Sequence, residues 1–322
     1  MNGAVTITES PRRRLNRTTS YVPFTHHESR ITSHGSRITS HASRIGLREQ
    51  HLPESNDVAQ IGVIGGSGFY SLLDNVREVQ IETPFGPPSD SIFVARLEDR
   101  GVAFVPRHGR HHTIPPHKIN YRANVWALKS LGVRYLISPC AAGSLQARVK
   151  PEHFVVCDQY VDRTRGRMDT FYEGPDVYHV SPADPYCPHL RRLAIDAIRD
   201  HGIEVHERGT VVVINGPRFS TKSESKWFSD QGWEVISMTA YPEAYLALEQ
   251  QIAVVNISLI TDYDSGLHAE GQVAPVTAAE VYEVFKRNAS GIKSVVLDLI
   301  RRIPLDLDSP QHHSLEFAKV SA

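Results

Sequence analysis

Ile61-Gly62-Val63-Ile64-Gly65-Gly66-Ser67-Gly68 is the stretch on which the reading of this chain turns. A short apolar, β-branched run ends in glycines. That is the pattern of a buried strand whose exit turn lets backbone N–H groups approach a ligand without obstruction from a Cβ. The spacing is not a dinucleotide fingerprint, because Ser71 stands at the third glycine position, nor a Walker loop, because no Lys-Ser/Thr follows. A tight strand-to-helix turn accounts for the glycines equally well. Further along, Val102–Val105, Tyr135–Ser138, Phe154–Cys157, Thr210–Ile214, Val235–Ser237 and Ala253–Ile260 have the same texture, several of them apolar nearly throughout, as strands covered on both faces are. Between them Lys118–Leu131, Pro188–His201, Thr221–Gln231 and Pro242–Gln251 read as helices, and a last long helix begins near Thr277. Thr221-x-x-Glu224 and Thr277-x-x-Glu280 are capping-box patterns at two helix starts. The alternation predicts an α/β fold, a single domain over 59–304 with a mixed central β-sheet flanked by helices.

Residues 1–57 differ. They are rich in Ser, Thr, His and Arg and carry a near-exact heptad repeat from Ser29, Ser36 and Ser43, with one apolar residue per seven. No buriable stripe results, so this segment is expected to be a disordered extension. Its Arg content also suits a transit peptide, and an upstream start codon inside repetitive DNA would produce the same text. Residues 305–322 read as a C-terminal tail; from Ile303 to Ala322 the chain is polar, with two prolines and no clear pattern. Over the whole chain 35 Lys+Arg balance 36 Asp+Glu, which gives no global attraction to nucleic acid or anionic lipid. No apolar run approaches the ~20 residues of a membrane span. Three cysteines without C-x-x-C spacing argue against a disulfide framework and fit a reducing, cytoplasmic setting.

Four groups of residues carry chemistry. Ser67, in the glycine turn, offers a hydroxyl to an anion. Arg107-His108-Gly109-Arg110-His111-His112 follows a buried strand, where α/β proteins place ligand groups; Arg107 supplies a fork of donors and His108 another. A metal site from His108, His111 and His112 is the rival reading, although no acidic ligand stands in the segment, and a solvated basic loop is the plain one. Ser138-Pro139-Cys140-Ala141-Ala142-Gly143-Ser144 places small residues after another strand; Cys140 has no base beside it in sequence and reads as a buried thiol. In the C-terminal half, Phe219-Ser220, Met238-Thr239 and Asp262-Tyr263-Asp264 stand at three strand ends. Two carboxylates so close repel, and burial raises a carboxyl pKa, so one can stay protonated and donate. A solvated acidic turn is the alternative, which the apolar strand before the pair argues against.

Gly65-Gly66-Ser67-Gly68, Thr83-Pro84-Phe85-Gly86, Arg107-His108-Gly109, Asn120-Tyr121-Arg122-Ala123-Asn124, Gly143-Ser144-Leu145, Asp162-Arg163-Thr164, Gly216-Pro217-Arg218-Phe219-Ser220, Met238-Thr239 and Thr261-Asp262-Tyr263-Asp264 stand in an order of their own. In that order the chain resembles the S-methyl-5'-thioadenosine phosphorylases of the trimeric purine nucleoside phosphorylase superfamily, from about Ile61 to Pro304. The resemblance implies reversible phosphorolysis of S-methyl-5'-thioadenosine to adenine and 5-methylthioribose 1-phosphate, with inorganic phosphate as co-substrate, no cofactor and no metal, and a homotrimer. It puts Ser67, Arg107, His108, Cys140, Thr239 and the backbone of Ala141 at phosphate, Met238 on the ribose, and Phe219 and Ser220 at the base. Asp262 then faces N7 as candidate general acid, and Asp264 faces the 6-amino group. His179 would cap the 5' end from a neighbouring subunit. Relatives carry threonine at the position of Cys140. Phosphorylases of 6-oxopurine nucleosides carry glutamate at the position of Ser220 and asparagine at that of Asp262, so both departures favour adenine. A phosphorylase for 6-oxopurine nucleosides or methylthioinosine is the alternative.

Overall fold

The computed structural model describes residues 59–66, 76–265 and 276–320. The extension over 1–57 and, in the glycine turn, Ser67 and Gly68 lie outside the described residues. The strands are β1 (Ile61–Gly65), β2 (Arg77–Val79), β3 (Ile92–Leu97), β4 (Arg100–Pro106), β5 (Tyr135–Ser144), β6 (Phe154–Val156), β7 (Gln159–Arg163), β8 (Val205–His206), β9 (Thr210–Ile214), β10 (Val235–Ser237) and β11 (Ala253–Asp262). The helices are α1 (Tyr121–Ser130), α2 (Pro188–Asp200), α3 (Lys222–Asp230), α4 (Ala240–Glu249) and α5 (Ala278–Arg302). Among the described residues the strands form one mixed sheet in the order β2-β3-β4-β1-β5-β10-β9-β7, with β11 and β6 on the other side of β5 and β8 beyond them.

Period-two alternation sorts the side chains between two cores. Leu136 of β5 and Val254 of β11 face α1 and α4, packing with Val125, Leu128, Ala244 and Ala247. Their neighbours Ile137 and Val255 face α2 and α5, packing with Leu190, Ile195, Val295 and Leu299. The sheet is therefore covered on both faces, which explains the apolar texture of its central strands. Both capping boxes form: the Thr221 and Thr277 hydroxyls accept from the N–H groups of Glu224 and Glu280, whose carboxylates reach back. In α4 Tyr241 is extended, as a residue before proline tends to be, so the regular turns start at Pro242 where the sequence puts them.

Two expectations need correction. The Ser138–Ser144 stretch is not a loop after a short strand; β5 runs on to Ser144, paired with β11 along its length. The 305–320 segment is packed rather than patternless. The Tyr135 hydroxyl donates to the carbonyls of Leu305 and Leu307, Ser309 and Gln311 are buried, and the N–H of Val320 donates to Val177 O. A segment held through its carbonyls and through polar side chains such as Gln311, His312 and Ser314 leaves no hydrophobic period to read.

Candidate active site

β5 divides the sheet. On one side Tyr135–Ile137 pair with β1, and further on Gly143 and Ser144 pair with β10; β11 takes the other side throughout. Between β1 and β10, Ser138–Ala142 have no strand beside them. A crevice at the carboxyl ends of diverging strands is where open α/β sheets bind ligands. Here it is a cavity of ≈ 850 Å³, lined by Gly66, Arg107, His108, Cys140, Ala141, Gly143, Phe219, Met238, Thr239, Asp262 and Asp264 among others. Ten of the twelve residues singled out at the site in the sequence are thus brought to one place if Ser220, buried beside Asp264, is counted with the nine that line the wall.

Arg107 occupies the point of divergence. Its Nη2 donates to Ile64 O of β1 at 2.7 Å and its Nη1 to Pro139 O of β5 at 3.1 Å, standing in for the missing ladder. Its Nε and Nη2 clamp the Glu243 carboxylate at 2.8 and 2.9 Å, and Ser138 Oγ donates to Glu243 at 2.5 Å. The pair is only 2% and 1% exposed. Burial works against the Arg107 charge, but Glu243 more than offsets it and the cation is held firmly. Four of its five N–H donors are spent. The fork therefore closes on Glu243, and one N–H remains for the cavity.

His108 donates from Nδ1 to Ile114 O at 2.9 Å, since a carbonyl can only accept, and its ring stacks on His112 with centroids 4.5 Å apart. Burial, and then the Arg107 charge, hold its pKa down at about 4, so the ring is neutral at pH 7. Cys140 lines the wall but turns its thiol to the core. Ser258 Oγ donates to Asn256 Oδ1, which leaves it to accept from Cys140 Sγ at 3.4 Å, and Asn256 Nδ2 lies 3.6 Å from the same sulfur. The thiol proton is engaged away from the cavity.

Across the cavity stand the carboxylates. β11 shifts register against β5 between Ile260, opposite Ala142, and Asp262, opposite Gly143. Such a bulge re-aims a side chain. Burial pushes Asp262 up to about 6; the Thr261 hydroxyl pulls the other way, and Asp264 adds to the rise. Burial also raises Asp264, against the nearby hydroxyls of Ser225 and Ser220. Asp264 Oδ2 and Ser220 Oγ are buried and lack hydrogen-bond partners among the described residues, the condition that the polar edge of a ligand relieves.

His179 does not line this cavity. It is exposed, its N–H donating to Ala318 O at 2.8 Å in the segment packed against the C-terminal residues. Sequence reasoning missed several contributors. Glu243 could have been suspected as a carboxylate at the start of an otherwise apolar helix. Arg167 donates to the carbonyls of Met238 at 2.8 Å and Asn215 at 3.0 Å, fixing the exits of β10 and β9, and no spacing announces it. Val281, Tyr282 and Phe285 of α5 supply an apolar wall that helical periodicity assigns only to a face. A cavity lined by an arginine, a neutral histidine, the half-buried Asp262 and the buried Asp264 suits a reaction that separates charge between an anionic nucleophile and a protonated leaving group.

Residues 60–301 match the family model of the phosphorylase superfamily. The chain belongs to that superfamily. This phosphorylase is 51% identical over 247 residues to an S-methyl-5'-thioadenosine phosphorylase of Thermofilum pendens, covering 76% of the chain and 92% of the relative. It is 49% identical over 255 residues to a purine nucleoside phosphorylase of Streptomyces coelicolor, covering 76% and 90%. Among solved structures, the methylthioadenosine phosphorylase of Schistosoma mansoni in complex with adenine superimposes with a TM-score of 0.72 at 36% identity, over 76% of this chain and 91% of that one. The mixed sheet and its helices are thus those of the phosphorylase superfamily.

Proposed function

We propose that this phosphorylase cleaves S-methyl-5'-thioadenosine with inorganic phosphate, giving adenine and 5-methylthioribose 1-phosphate. The observation that carries the reading is one cavity lined both by the half-buried Asp262 and the buried Asp264 and by Arg107 and His108. Breaking the N-glycosidic bond builds positive charge on the ribosyl ring and negative charge on the purine. An anion below C1' answers the first, and a proton donor at N7 answers the second. Asp262, raised to about 6, is matched to that donor role near neutral pH.

The remaining groups fall into place around it. Phosphate takes the one open N–H of Arg107, the Ala141 N–H and the Thr239 hydroxyl, together with Ser67, and donates its own O–H to the bare Nε2 of His108. Met238 packs on the ribose and Phe219 on the base, while Ser220 and Asp264 read the purine edge. An ionised Asp264 accepts from a 6-amino group and repels a 6-oxo group; an unmet buried polar group costs ~1–3 kcal/mol, a bias of roughly ten- to hundred-fold toward adenine. His179 completes the 5' end of a neighbouring site in a homotrimer, and the enzyme works in the cytoplasm without metal or cofactor. Among the described residues no helix is long and apolar enough to cross a membrane.

A panel of methylthioadenosine, adenosine, inosine and methylthioinosine at varied phosphate tests this. The highest kcat/KM is expected for methylthioadenosine. A higher value for inosine would assign the enzyme to 6-oxopurine nucleosides instead.

A further inference from the structure

Thr261 sits at the register shift of β11, between the residue opposite Ala142 and the residue opposite Gly143, with no partner of its own on β5. Strand alternation alone would send its side chain to the face opposite that of Asp262. The bulge brings the two together. At 3% exposure the Thr261 hydroxyl lies 2.8 Å from Asp262 Oδ2 and 3.3 Å from Ala142 O. One proton therefore faces two acceptors.

Those two partners let the hydroxyl stay bonded in every charge state of Asp262. With the carboxylate ionised, Thr261 donates to Oδ2. With the acid proton on Oδ1, the oxygen that leans over Gly143, Thr261 still donates to Oδ2. With the acid proton on Oδ2, that O–H donates to Thr261 Oγ1 and the threonine proton turns to Ala142 O. Moving between these states needs one hydroxyl rotation and no shift of heavy atoms.

We infer that Thr261 is a positioning residue for the proposed reaction: it anchors Oδ2 of Asp262, and so leaves Oδ1 as the oxygen that hands a proton to the leaving base. The proton given up is the carboxylic one, which bonds to N7 as the glycosidic electron pair moves onto the purine; the threonine proton stays on Oγ1. Thr261 is the side-chain donor to Asp262, and the backbone N–H of Asp264, which every variant below keeps, is a further one. The charged groups that face Asp262 are Asp264 on its own strand exit and Glu280 in the first turn of α5, with Glu224 of α3 beside Asp264. The side chains of all three are carboxylates, which repel the ionised form and, when ionised themselves, donate nothing to it. A hydroxyl donor favours the ionised form.

The inference rests on Asp262 being the acid, and pH profiles of kcat for wild type, Thr261→Val, Thr261→Ser and Asp262→Asn test the two separately. The acid must be protonated, so wild-type kcat falls as pH rises through its pKa. In Thr261→Val, which keeps the shape and removes the donor, the alkaline limb moves up by roughly one pH unit and the plateau falls about tenfold. Thr261→Ser overlays wild type. A lowered plateau with the limb unmoved in the valine variant, or a serine variant that behaves like valine, overturns the role of Thr261 alone. A limb that survives in Asp262→Asn overturns the acid role itself. Should the valine variant not fold, Thr261→Cys, a weaker donor in the same space, shows the same upward shift at smaller amplitude, and an unmoved limb there counts against the inference.

Discussion

Asp262 and Gly143 share one space: a Cβ built on Gly143 would come within 2.9 Å of Asp262 Oδ1. The same Cβ would meet Ile236 Cγ2 at 2.9 Å and Asp264 Cβ at 3.4 Å. β5 and β11 approach so closely at their ends because position 143 has no side chain, and the carboxylate lies against bare backbone.

Gly143→Ala should therefore displace Asp262 rather than disturb the phosphate side. A misplacement of about 1 Å costs on the order of 100-fold in rate. Steady-state kinetics are expected to show that loss in kcat, with the KM for phosphate changed less than about threefold. Overpacking of the site should lower stability by ~1–3 kcal/mol in denaturant unfolding.

Asp262 also links activity to stability. Its pKa is raised from 3.8 to about 6 in the folded protein, so between those values the native state binds more protons than the unfolded chain. Stability then falls as pH rises through this window, and above it the ionised, half-buried carboxylate is a net burden. Asp262→Asn should stabilise the protein at pH 7.5 by on the order of 2 kcal/mol while abolishing most turnover. At pH 4 the gain should vanish. Denaturant midpoints at the two pH values decide it; a destabilised variant at pH 7.5 would contradict the account.

The Arg107–Glu243 pair makes a different forecast. Removing one partner leaves the other charge buried at 2% or 1% exposure. Arg107→Met and Glu243→Gln should each destabilise by about 3–5 kcal/mol, and the double variant should recover part of that. Phosphate affinity should not recover with it, because the open N–H of Arg107 is gone. If the double variant regained wild-type KM for phosphate, Arg107 would be a structural cation only.

Cys140 should matter little to phosphate, since its thiol faces Ser258 and Asn256. Cys140→Ala is expected to leave the KM for phosphate within about threefold of wild type. A tenfold or larger rise would place the thiol in the anion site after all.

The fold was legible for most strands buried on both faces, although β3, with Ile92 and Val94 in one core and Phe93 in the other, went unread. Thr210–Ile214 and Val235–Ser237 were readable to the residue, because an unbroken apolar run flanked by turn residues has few other uses. β7, with Asp162 and Arg163 in it, and the two-residue β8 carry no such run and escaped notice. β5 was cut short because Pro139, Ala141, Ala142 and Gly143 look like a loop; only its pairing with β11 makes them strand. At the site, the carboxylates, Arg107, Met238 and Thr239, which the ordered motifs singled out, line one cavity. What the motifs could not supply was direction. Whether the Arg107 fork meets phosphate or Glu243, and whether the Cys140 thiol faces the cavity or Ser258, depends on partners over 100 residues away in the chain. Local patterns hold no such information.

The most direct measurement is adenine release from methylthioadenosine by the purified protein with phosphate present and rigorously removed, with the sugar product followed by phosphorus NMR. Release that requires phosphate and yields one sugar 1-phosphate per adenine is the predicted result. Equal release without phosphate, with free methylthioribose as product, would mean that water is the nucleophile and would contradict the account.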